Sequence, residues 1–327
     1  MLESSNNVEI GCALITEELD PQQLISSAQK AERAGFKFAL ISDHFHPWID
    51  AQGQSPFVWS VLGAISQATK TLRLVTGVTC PTMRYHPTII AQAAATVATI
   101  MPDRFSLGLG SGENLNEHII GMRWPDYDLR ANMLEEAVEI IRMLWKGDVV
   151  THYGRFYTID NARIYTLPRN LPDILIAAAG KNAAKLAGKI GDGLITTSPS
   201  SDIIEEFKRT AKGKNPSCYG SFTVCYSDDE YKARKIALKQ WPNSVLPGEL
   251  GQELKTPKHF EQAVELVTED AIAKHIICGN DLEEHIKRIN KNIEAGCNKV
   301  YVHQVGQDQE SLMTAYRKQI LPYFHKE

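Results

Sequence analysis

The chain has 327 residues, of which 43% are hydrophobic and 23% charged, a composition typical of a globular protein with a large core. A formal net charge of −4 gives no electrostatic reason to expect a nucleic-acid partner. No apolar run reaches the roughly 18 residues that a membrane helix needs, and the N-terminus lacks the residue order of a signal peptide. We therefore expect a cytoplasmic protein with no nucleic-acid or membrane partner.

Short apolar runs rich in Val, Ile and Leu recur along the chain, and most are continuous, as expected of parallel strands buried on both faces. Eight such runs predict strands at residues 8–15, 36–42, 72–78, 104–110, 174–179, 192–197, 221–227 and 299–305. Amphipathic patterns predict helices between them, at residues 20–36, 132–148, 181–191 and 281–297. This alternation indicates an α/β protein and, with eight strands, a TIM (β/α)8 barrel.

Two connections are too long for a simple crossover. Residues 147–173 predict an irregular or hairpin excursion, and residues 228–298 hold more than one helix. We therefore expect one domain over residues 1–327, a barrel with insertions near these two segments. A doubly wound sheet is the alternative, but no G-x-G-x-x-G motif follows the first strand. The six cysteines lack zinc-like spacing, so we expect buried free thiols in a reducing cytoplasm.

The chemistry is expected where the strands end, because a TIM barrel places its active site at the C-terminal ends of its strands. Four candidate side chains follow the first, second and fourth predicted strands: Glu17, His44, Trp48 and Glu113. Together they would supply a general acid, a general base and an aromatic wall, a minimum set for proton-coupled chemistry. The same residues also have structural interpretations, as a hydrogen-bonded histidine, a core tryptophan and a solvated loop carboxylate.

Asp43, His44 and His46 stand together after the second strand, which raises the question of a metal site. No further ligand follows at a diagnostic spacing, so we expect no metal here. His46 is expected to shape the loop.

A helix of small residues, AAAGKNAAKLAG, follows the fifth strand at residues 177–188. It opens at Ala178, Ala179, Gly180 and Lys181, where free N–H groups and a nearby lysine would bind an anion. A cofactor phosphate is one interpretation of this segment, and a plain strand-to-helix turn is the other.

A resemblance to a known family is carried by several segments, among them SDHFHPW (42–48), CPTMRYHP (80–87), LGLGSGENLNE (107–117) and AAAGKNAAKLAGKIGDG (177–193). Through them the chain resembles the luciferase-like oxidoreductases, and within these the F420-dependent glucose-6-phosphate dehydrogenases and F420-dependent secondary alcohol dehydrogenases. The resemblance spans nearly the whole chain. It implies a bacterial-luciferase-like TIM barrel and an enzyme that transfers a hydride between an alcohol or sugar and the deazaflavin coenzyme F420.

The resemblance also implies a role for each residue at the mouth of the barrel. His44 matches the histidine that takes the substrate hydroxyl proton, and Glu113 matches the glutamate that protonates the deazaflavin ring. Trp48 matches the tryptophan that lines the substrate pocket, and Glu17 matches a further active-site acid.

Cofactor binding is implied at eight further positions, near the ring, the tail and the phosphate of F420: Asp43, Gly77, Val78, Cys80, Asn116, Ala178, Ala179 and Gly180. The family carries a cis peptide bond that does not involve proline at the end of its third strand. In this chain that bond would lie between Gly77 and Val78.

The substrate is less well defined by the resemblance. Sugar-phosphate members bind the substrate phosphate with lysines, whose positions align here with Ser200 and Gln262, so glucose 6-phosphate is not the expected substrate. Two alternatives remain open: an FMN-dependent luciferase-like monooxygenase that uses reduced flavin and O2, and a non-catalytic flavin-binding barrel. A homodimer is expected, through apolar segments at residues 55–65 and 88–101.

Overall fold

The computed structural model describes residues 8–197, 199–213 and 215–324. The strands are β1 (Glu9–Leu14), β2 (Phe38–Ile41), β3 (Arg73–Thr76), β4 (Phe105–Leu109), β5 (Val150–Tyr153), β6 (Thr158–Ala162), β7 (Ile174–Ala177), β8 (Gly193–Thr196), β9 (Ser217–Cys225), β10 (Ile276–Cys278) and β11 (Lys299–Gln304). The α-helices are α1 (Pro21–Ala34), α2 (Val58–Ala68), α3 (Pro87–Ile100), α4 (Asn114–Glu117), α5 (Tyr127–Leu144), α6 (Lys181–Ile190), α7 (Ser201–Thr210), α8 (Glu230–Gln240), α9 (Leu250–Glu253), α10 (Pro257–Ala263), α11 (Glu269–Ile272), α12 (Leu282–Glu294), α13 (Gln309–Ala315) and α14 (Leu321–Phe324). Among the helices in these ranges, none combines the length and the apolar character needed to cross a membrane.

Eight of the strands close into a barrel. β1, β2, β3, β4, β7, β8, β9 and β11 pair in this order, all in parallel, and β11 pairs with β1 to complete the circle. The predicted TIM barrel is thereby confirmed. Seven of the eight predicted runs contain their barrel strand whole, because a strand buried on both faces leaves a continuous apolar run in the sequence.

The seventh barrel strand, β9, is longer than its apolar run predicts. It begins at Ser217 instead of residue 221, because pairing with β8 over Ser217 to Gly220 includes polar and small residues in the strand. Its second half pairs with β10 over Thr223 to Cys225. The sequence pattern does not predict β10, since three residues are too few to show a period. β9 therefore leaves β8 halfway along its length and continues beside β10.

The two long connections contain additional elements. Residues 147–173 include the antiparallel hairpin of β5 and β6, so the hairpin alternative is the one observed. Residues 228–298 hold α8 to α12 together with β10. Phe260 from this second insertion packs against Ile49 and Leu115, which follow β2 and β4. The second insertion therefore reaches the C-terminal ends of the barrel strands.

Side chains fill the interior of the barrel. One inward-facing cluster comprises Ala13, Phe38, Leu40, Val75, Leu175, Ile195, Tyr219 and Tyr301. The rings of Phe38 and Tyr219 meet edge to face with centroids 5.1 Å apart. The expectation of free thiols is confirmed: all six cysteines are free, and all but Cys278 are buried.

Gly108 in β4 lies so close to β3 that a side chain has no room there. An added Cβ would lie 1.9 Å from the carbonyl oxygen of Thr76 and 2.9 Å from Ile195 Cδ1. We predict that Gly108→Ala lowers the free energy of unfolding by about 2–3 kcal/mol, because overpacking has to displace backbone. Urea denaturation measures this change.

Gly63 in α2 provides the matched control for that substitution. An added Cβ at Gly63 meets nothing within 4 Å, and alanine favours the helix. Gly63→Ala should therefore raise the free energy of unfolding by roughly 0.5–1 kcal/mol. A Gly108→Ala protein as stable as the wild type would contradict the close packing of β3 against β4.

Candidate active site

Four side chains meet at the C-terminal ends of the barrel strands. His44 Nε2 lies 3.5 Å from Glu17 Oε1 and 3.5 Å from Glu113 Oε2. The Trp48 ring lies 4.9 Å from the His44 ring, and its Nε1–H donates a hydrogen bond to Glu17 Oε1 at 3.1 Å. The structure thus brings together all four residues for which the sequence indicates a catalytic role.

Glu17 is held by polar groups from the ends of two neighbouring strands. Its Oε2 accepts hydrogen bonds from Thr16 Oγ1 at 3.1 Å and from Ser42 Oγ at 2.5 Å. The side chain is only 2% exposed. Because its oxygens are all engaged, this carboxylate is a fixed, water-shielded partner for the imidazole of His44.

Asn116 in α4 connects His44 to Glu113 and to the loop that follows β2. Its Oδ1 accepts hydrogen bonds from the backbone N–H groups of Phe45 and His46, at 2.9 and 3.2 Å. Its Nδ2 donates to Glu113 Oε2 at 3.1 Å and lies 3.2 Å from His44 Nδ1, which also faces the His46 carbonyl at 3.1 Å. His44 Nδ1 therefore has a donor nearby when unprotonated and an acceptor when protonated. Nδ1 therefore has a hydrogen-bond partner in either tautomer of the imidazole, which leaves Nε2 facing the two carboxyl groups.

Glu113 follows β4 in a glycine-rich loop and is 31% exposed. Enclosure by protein raises the pKa of Glu113 because it removes water from the carboxylate; His44 opposes this rise, and the charge of Glu17 adds to it. With a raised pKa, this carboxyl group keeps its proton up to a higher pH than an ordinary glutamic acid does, as a general acid requires. Gly112, with a φ of 97°, allows the sharp turn that aims Glu113 inward.

Glu18, the neighbour of Glu17, has a different environment. Its Oε2 accepts a hydrogen bond from the Gly306 N–H at 3.1 Å, and its Oε1 has no partner among the residues that the structure describes. Burial raises the pKa of Glu18 to about 8. Of these two adjacent carboxyl groups, Glu17 is the one beside His44.

Asp43 precedes His44, and its carboxylate is bound by protein donors. Oδ2 accepts a hydrogen bond from Thr79 Oγ1 at 2.7 Å, and Oδ1 accepts from Arg84 Nη2 at 3.0 Å and Tyr85 Oη at 3.2 Å. The residue is 3% exposed. Asp43 therefore fixes the end of β2 from within the protein.

Arg84 and Glu117 are buried charged residues that the sequence pattern does not single out. The backbone N–H of Arg84 donates to Glu117 Oε2 at 2.7 Å, and its Nε lies 3.6 Å from Glu117 Oε1. Burial raises the pKa of Glu117 to about 7, and the Arg84 charge opposes the rise. Both residues lie in segments that carry the family resemblance. Nothing in a loop sequence shows which charged residues are buried.

A cleft of about 620 Å³ leads from His44 along the end of β3 toward α6. The peptide bond between Gly77 and Val78 is cis, as the resemblance implies. Gly110 faces Val78 so closely that an added Cβ would lie 2.7 Å from Val78 Cγ2. The thiol of Cys80 lines the same cleft, and burial raises its pKa, which keeps it protonated. All eight residues matched to cofactor contacts line this cleft.

The far end of the cleft is the N-terminus of α6. Gly180 is the N-cap residue, and because glycine has no side chain it cannot cap the first N–H groups of the helix. Ala178 is buried, whereas Ala179 and Gly180 are exposed. The ammonium of Lys181 pairs with Asp202 at 2.8 Å. Backbone N–H groups, more than Lys181, are therefore the donors that this end offers to an anion.

A second cavity, of about 600 Å³, meets the first at His44. The two share five lining residues, His44, Gly77, Glu113, Thr197 and Tyr301, while Glu17 and Trp48 line the second cavity. Two cavities that join at an acid–base pair can hold two reactants in contact, one on each side.

The second insertion holds the loop that carries Trp48. The rings of Trp48 and Phe260 meet at 5.2 Å, and the backbone N–H of Trp48 donates to Gln52 Oε1 at 2.8 Å. Gln52 Nε2 in turn donates to the carbonyl of Gln240 at 2.9 Å. The aromatic wall of the second cavity is therefore set by contacts between the β2 loop and residues 228–298.

With this fold and site established, the family can be stated. Residues 7–299 match a family model described as luciferase-like monooxygenase, and the chain belongs to this luciferase-like family. The resemblance inferred from its sequence motifs is confirmed.

The relatives include proteins that match over almost the full chain. F420-dependent glucose-6-phosphate dehydrogenase of Mycolicibacterium gilvum is 32% identical over 335 residues, which cover 98% of each chain. The protein of the same name from Nakamurella multipartita is 34% identical and covers 96% of each chain. A solved F420-dependent secondary alcohol dehydrogenase, in complex with an F420-acetone adduct, has a TM-score of 0.90 at 30% identity, covering 98% of this chain and 100% of that one.

The buried carboxyl group of Glu18 should make stability depend on pH. Its folded-state pKa of about 8 lies above the usual 4.5. The contribution of Glu18 to the free energy of unfolding is therefore fully present below pH 4.5 and is lost as the pH rises toward 8. We predict that Glu18→Gln shrinks the loss of unfolding free energy between pH 5 and pH 8.5 by up to about 4 kcal/mol. Urea denaturation at the two pH values measures this, and exposed Glu265→Gln is the control. An identical pH dependence in wild type and Glu18→Gln would contradict the buried, protonated carboxyl group.

Proposed function

We propose that this protein is an F420-dependent oxidoreductase that transfers a hydride between an alcohol or sugar and the deazaflavin coenzyme F420. The observation that carries the proposal is the position of His44 between Glu17 and Glu113, at the junction of the two cavities. Relatives at 30–34% identity that span nearly the whole chain are named for this cofactor, which supports the assignment.

The first cavity fits a cofactor with a planar ring at one end and a phosphate further along. Near His44, Gly77 and Gly110 present backbone, and Cβ atoms there would meet neighbours at 1.8 and 2.7 Å, so the wall stays flat and close. The uncapped N–H groups of α6 suit the phosphate. The residues that we propose to hold the cofactor are Asp43, Gly77, Val78, Cys80, Asn116, Ala178, Ala179 and Gly180.

When bound, coenzyme F420 supplies a ring that accepts or returns a hydride. The residues of this chain handle the protons. His44 Nε2 accepts the substrate hydroxyl proton as the carbinol C–H bond breaks, and Glu17, 3.5 Å away, stabilises the resulting imidazolium. The pKa of Glu113 is raised by its enclosure, which favours its protonated form, and this carboxyl group can donate a proton within the cleft. Trp48 shields the substrate side from water.

Removing either proton-transfer group should lower turnover and leave cofactor binding in place. We predict that His44→Ala and Glu113→Gln each reduce kcat by about 10²–10⁴-fold, the usual contribution of a general acid or base. The Kd for F420 should stay within the same order, because backbone and other side chains line most of the cleft. Deazaflavin absorbance over a panel of alcohols and sugars measures turnover, and fluorescence titration measures binding.

Matched controls are His259→Ala and Glu139→Gln, which replace exposed residues on α10 and α5. Titration with F420 and separately with FMN tests the cofactor. Binding of FMN alone, with oxygen-dependent turnover, would replace this proposal by the monooxygenase alternative. Unchanged turnover in both His44→Ala and Glu113→Gln would rule out the proposed proton-transfer roles.

We also propose a single-domain homodimer in the cytoplasm. Phe57, just before α2, and Ile89, in α3, are 55% and 57% exposed, and apolar surface of this kind favours association. Phe57 also lies against Tyr85, with ring centroids 6.3 Å apart. The free cysteines support a reducing compartment such as the cytoplasm.

The dimer can be tested by charging this surface. We predict that Phe57→Glu combined with Ile89→Asp converts a dimer into a monomer, because a buried carboxylate without a partner opposes association. Light scattering coupled to size-exclusion chromatography measures the mass. Leu266→Glu, at a 92% exposed apolar residue in the second insertion, is the control and should stay dimeric. A wild-type protein of one-chain mass would contradict the proposed dimer.

A further inference from the structure

Arg130 is a buried charged residue that the proposed proton chemistry does not use. It lies in α5, is 1% exposed and lines neither cavity. Its Nη1 donates a hydrogen bond to the carbonyl of Pro125 at 2.6 Å, and its Cζ lies 4.1 Å from the centre of the Trp124 ring. Its Nε has no partner among the residues that the structure describes. Burying a guanidinium with an unpaired N–H group costs free energy, and the further contacts of Arg130 show what it holds in place.

The further contacts of Arg130 reach α9, in the second insertion. Its Nη2 donates to Gln252 Oε1 at 3.4 Å, and its Nη1 lies 3.5 Å from Glu253 Oε1. The other carboxylate oxygen of Glu253 accepts a hydrogen bond from Trp124 Nε1 at 3.1 Å. The backbone carbonyl of Glu253 accepts from Asn114 Nδ2 at 2.9 Å. The last two residues of α9 are therefore fastened at four points to α5 and to the segment that precedes it.

The fastened helix belongs to a segment that encloses the first cavity, and we name residues 246–254 the cover segment. Its end residues, Leu246 and Leu254, pack in the apolar cluster around Phe260. Residues 247–250 are exposed. Three residues of the cover segment line the first cavity: Gly248, Glu249 and Gln252. The cover segment thus forms part of the outer wall of this cavity, between the proposed cofactor site and solvent.

The cover segment has little structure that could keep it in place by itself. Its helix, α9, is four residues long and has no side-chain cap, and so short a helix is not stable alone. Added Cβ atoms at Gly248 and Gly251 would meet nothing within 4 Å. The contacts at its ends therefore hold the segment closed. The Glu253 side chain is 50% exposed, which makes its ion pair weak enough to break and form again.

We propose that Arg130 is a positioning residue, which holds the cover segment closed through Gln252 and Glu253, and that this segment has to open for the cofactor to enter or leave. The proposal rests on the proposed function, because it assigns the first cavity to F420. The same contacts support the loop of the candidate acid. Asn114 follows Glu113 directly, and an added Cβ at Gly112 would lie 3.3 Å from the Trp124 ring.

Hydrogen exchange in the full chain without cofactor tests the fastening. The backbone N–H groups of residues 252–254 are all hydrogen-bonded within the cover segment. We expect Glu253→Ala to raise their exchange rates at least about fivefold, because the ion pair to Arg130 and the hydrogen bond from Trp124 are lost. Glu253→Gln keeps one acceptor oxygen and should give a smaller rise. Glu265→Ala, at an exposed residue of the same insertion, is the matched control and should give none.

Arg130→Lys tests the other side of the fastening. Lysine keeps the positive charge but lacks the planar fork that reaches two acceptors and stacks on Trp124. Exchange at residues 252–254 should therefore rise as in Glu253→Ala. Because Arg130 is buried and Glu253 is half-exposed, Glu253→Ala keeps the test valid if Arg130→Lys does not fold.

Stopped-flow fluorescence with F420 tests whether the cover segment is a gate. A segment that has to open before the cofactor can pass limits both association and dissociation. We expect Glu253→Ala to raise both rate constants at least about fivefold and to leave the Kd within about twofold of the wild-type value. Glu253 does not line the cavity, so the loss of a direct contact is not the expected cause. Glu265→Ala should leave both rate constants unchanged.

Two results would overturn the proposal. One is hydrogen exchange at residues 252–254 that is the same in wild type and in Glu253→Ala. The other is a dissociation rate constant that rises alone, together with the Kd, since that would be the loss of a cofactor contact and not the opening of a gate. The proposed function fails in a different way. No binding of F420, with exchange that still rises in Glu253→Ala, would contradict the F420 assignment and uphold the fastening by Arg130.

Discussion

The place of His44 depends on one amide side chain, that of Asn116. Its Oδ1 takes two backbone N–H groups of the loop after β2, and its Nδ2 donates to Glu113, which follows β4. The amide cannot be reversed, because N–H groups need an oxygen and a carboxylate needs a donor. The separation of the candidate base from the candidate acid is therefore set by a single buried residue that spans two loops.

Beneath this amide lies a second layer that keeps the loops in register. Asp43, Arg84 and Glu117 follow β2, β3 and β4 and are joined by an ion pair and by hydrogen bonds to side chain and backbone. Their side chains are at most 6% exposed, and removing one partner of a buried pair costs about 3–5 kcal/mol because the other charge is left in a low dielectric. The charged residues around the mouth are thus coupled, and their geometry resists small displacements of any single loop.

The barrel and the four residues at its mouth could be predicted from sequence for a local reason. Strands buried on both faces leave continuous apolar runs in the sequence. Each strand, and the polar residues that follow it, can therefore be identified from its own short segment. The sequence did not predict β10 or the roles of Arg84 and Glu117, because these depend on distant partners. Arg84, for example, contacts Asp43 across 41 residues of sequence. The cations of the second cavity were beyond sequence reasoning for the same reason. These cations, Lys274, Arg288 and Lys291, line it from α12 and from the segment before β10, and β10 pairs with the second half of β9.

The two cavities differ in what builds them, and this difference bears on specificity. The first is shaped largely by backbone, at Gly77, Gly110 and the start of α6. At the two glycines there is no space for a larger side chain, and at the start of α6 a substitution changes the backbone N–H groups only weakly. The second takes part of its polar lining and its three cations from side chains of the second insertion, which can change without moving a barrel strand. A fold of this kind can keep one cofactor and vary its alcohol. Proteins about 30% identical to this chain are accordingly named for glucose 6-phosphate in one case and for secondary alcohols in another. The identity of the alcohol is therefore to be sought in the side chains that line the second cavity.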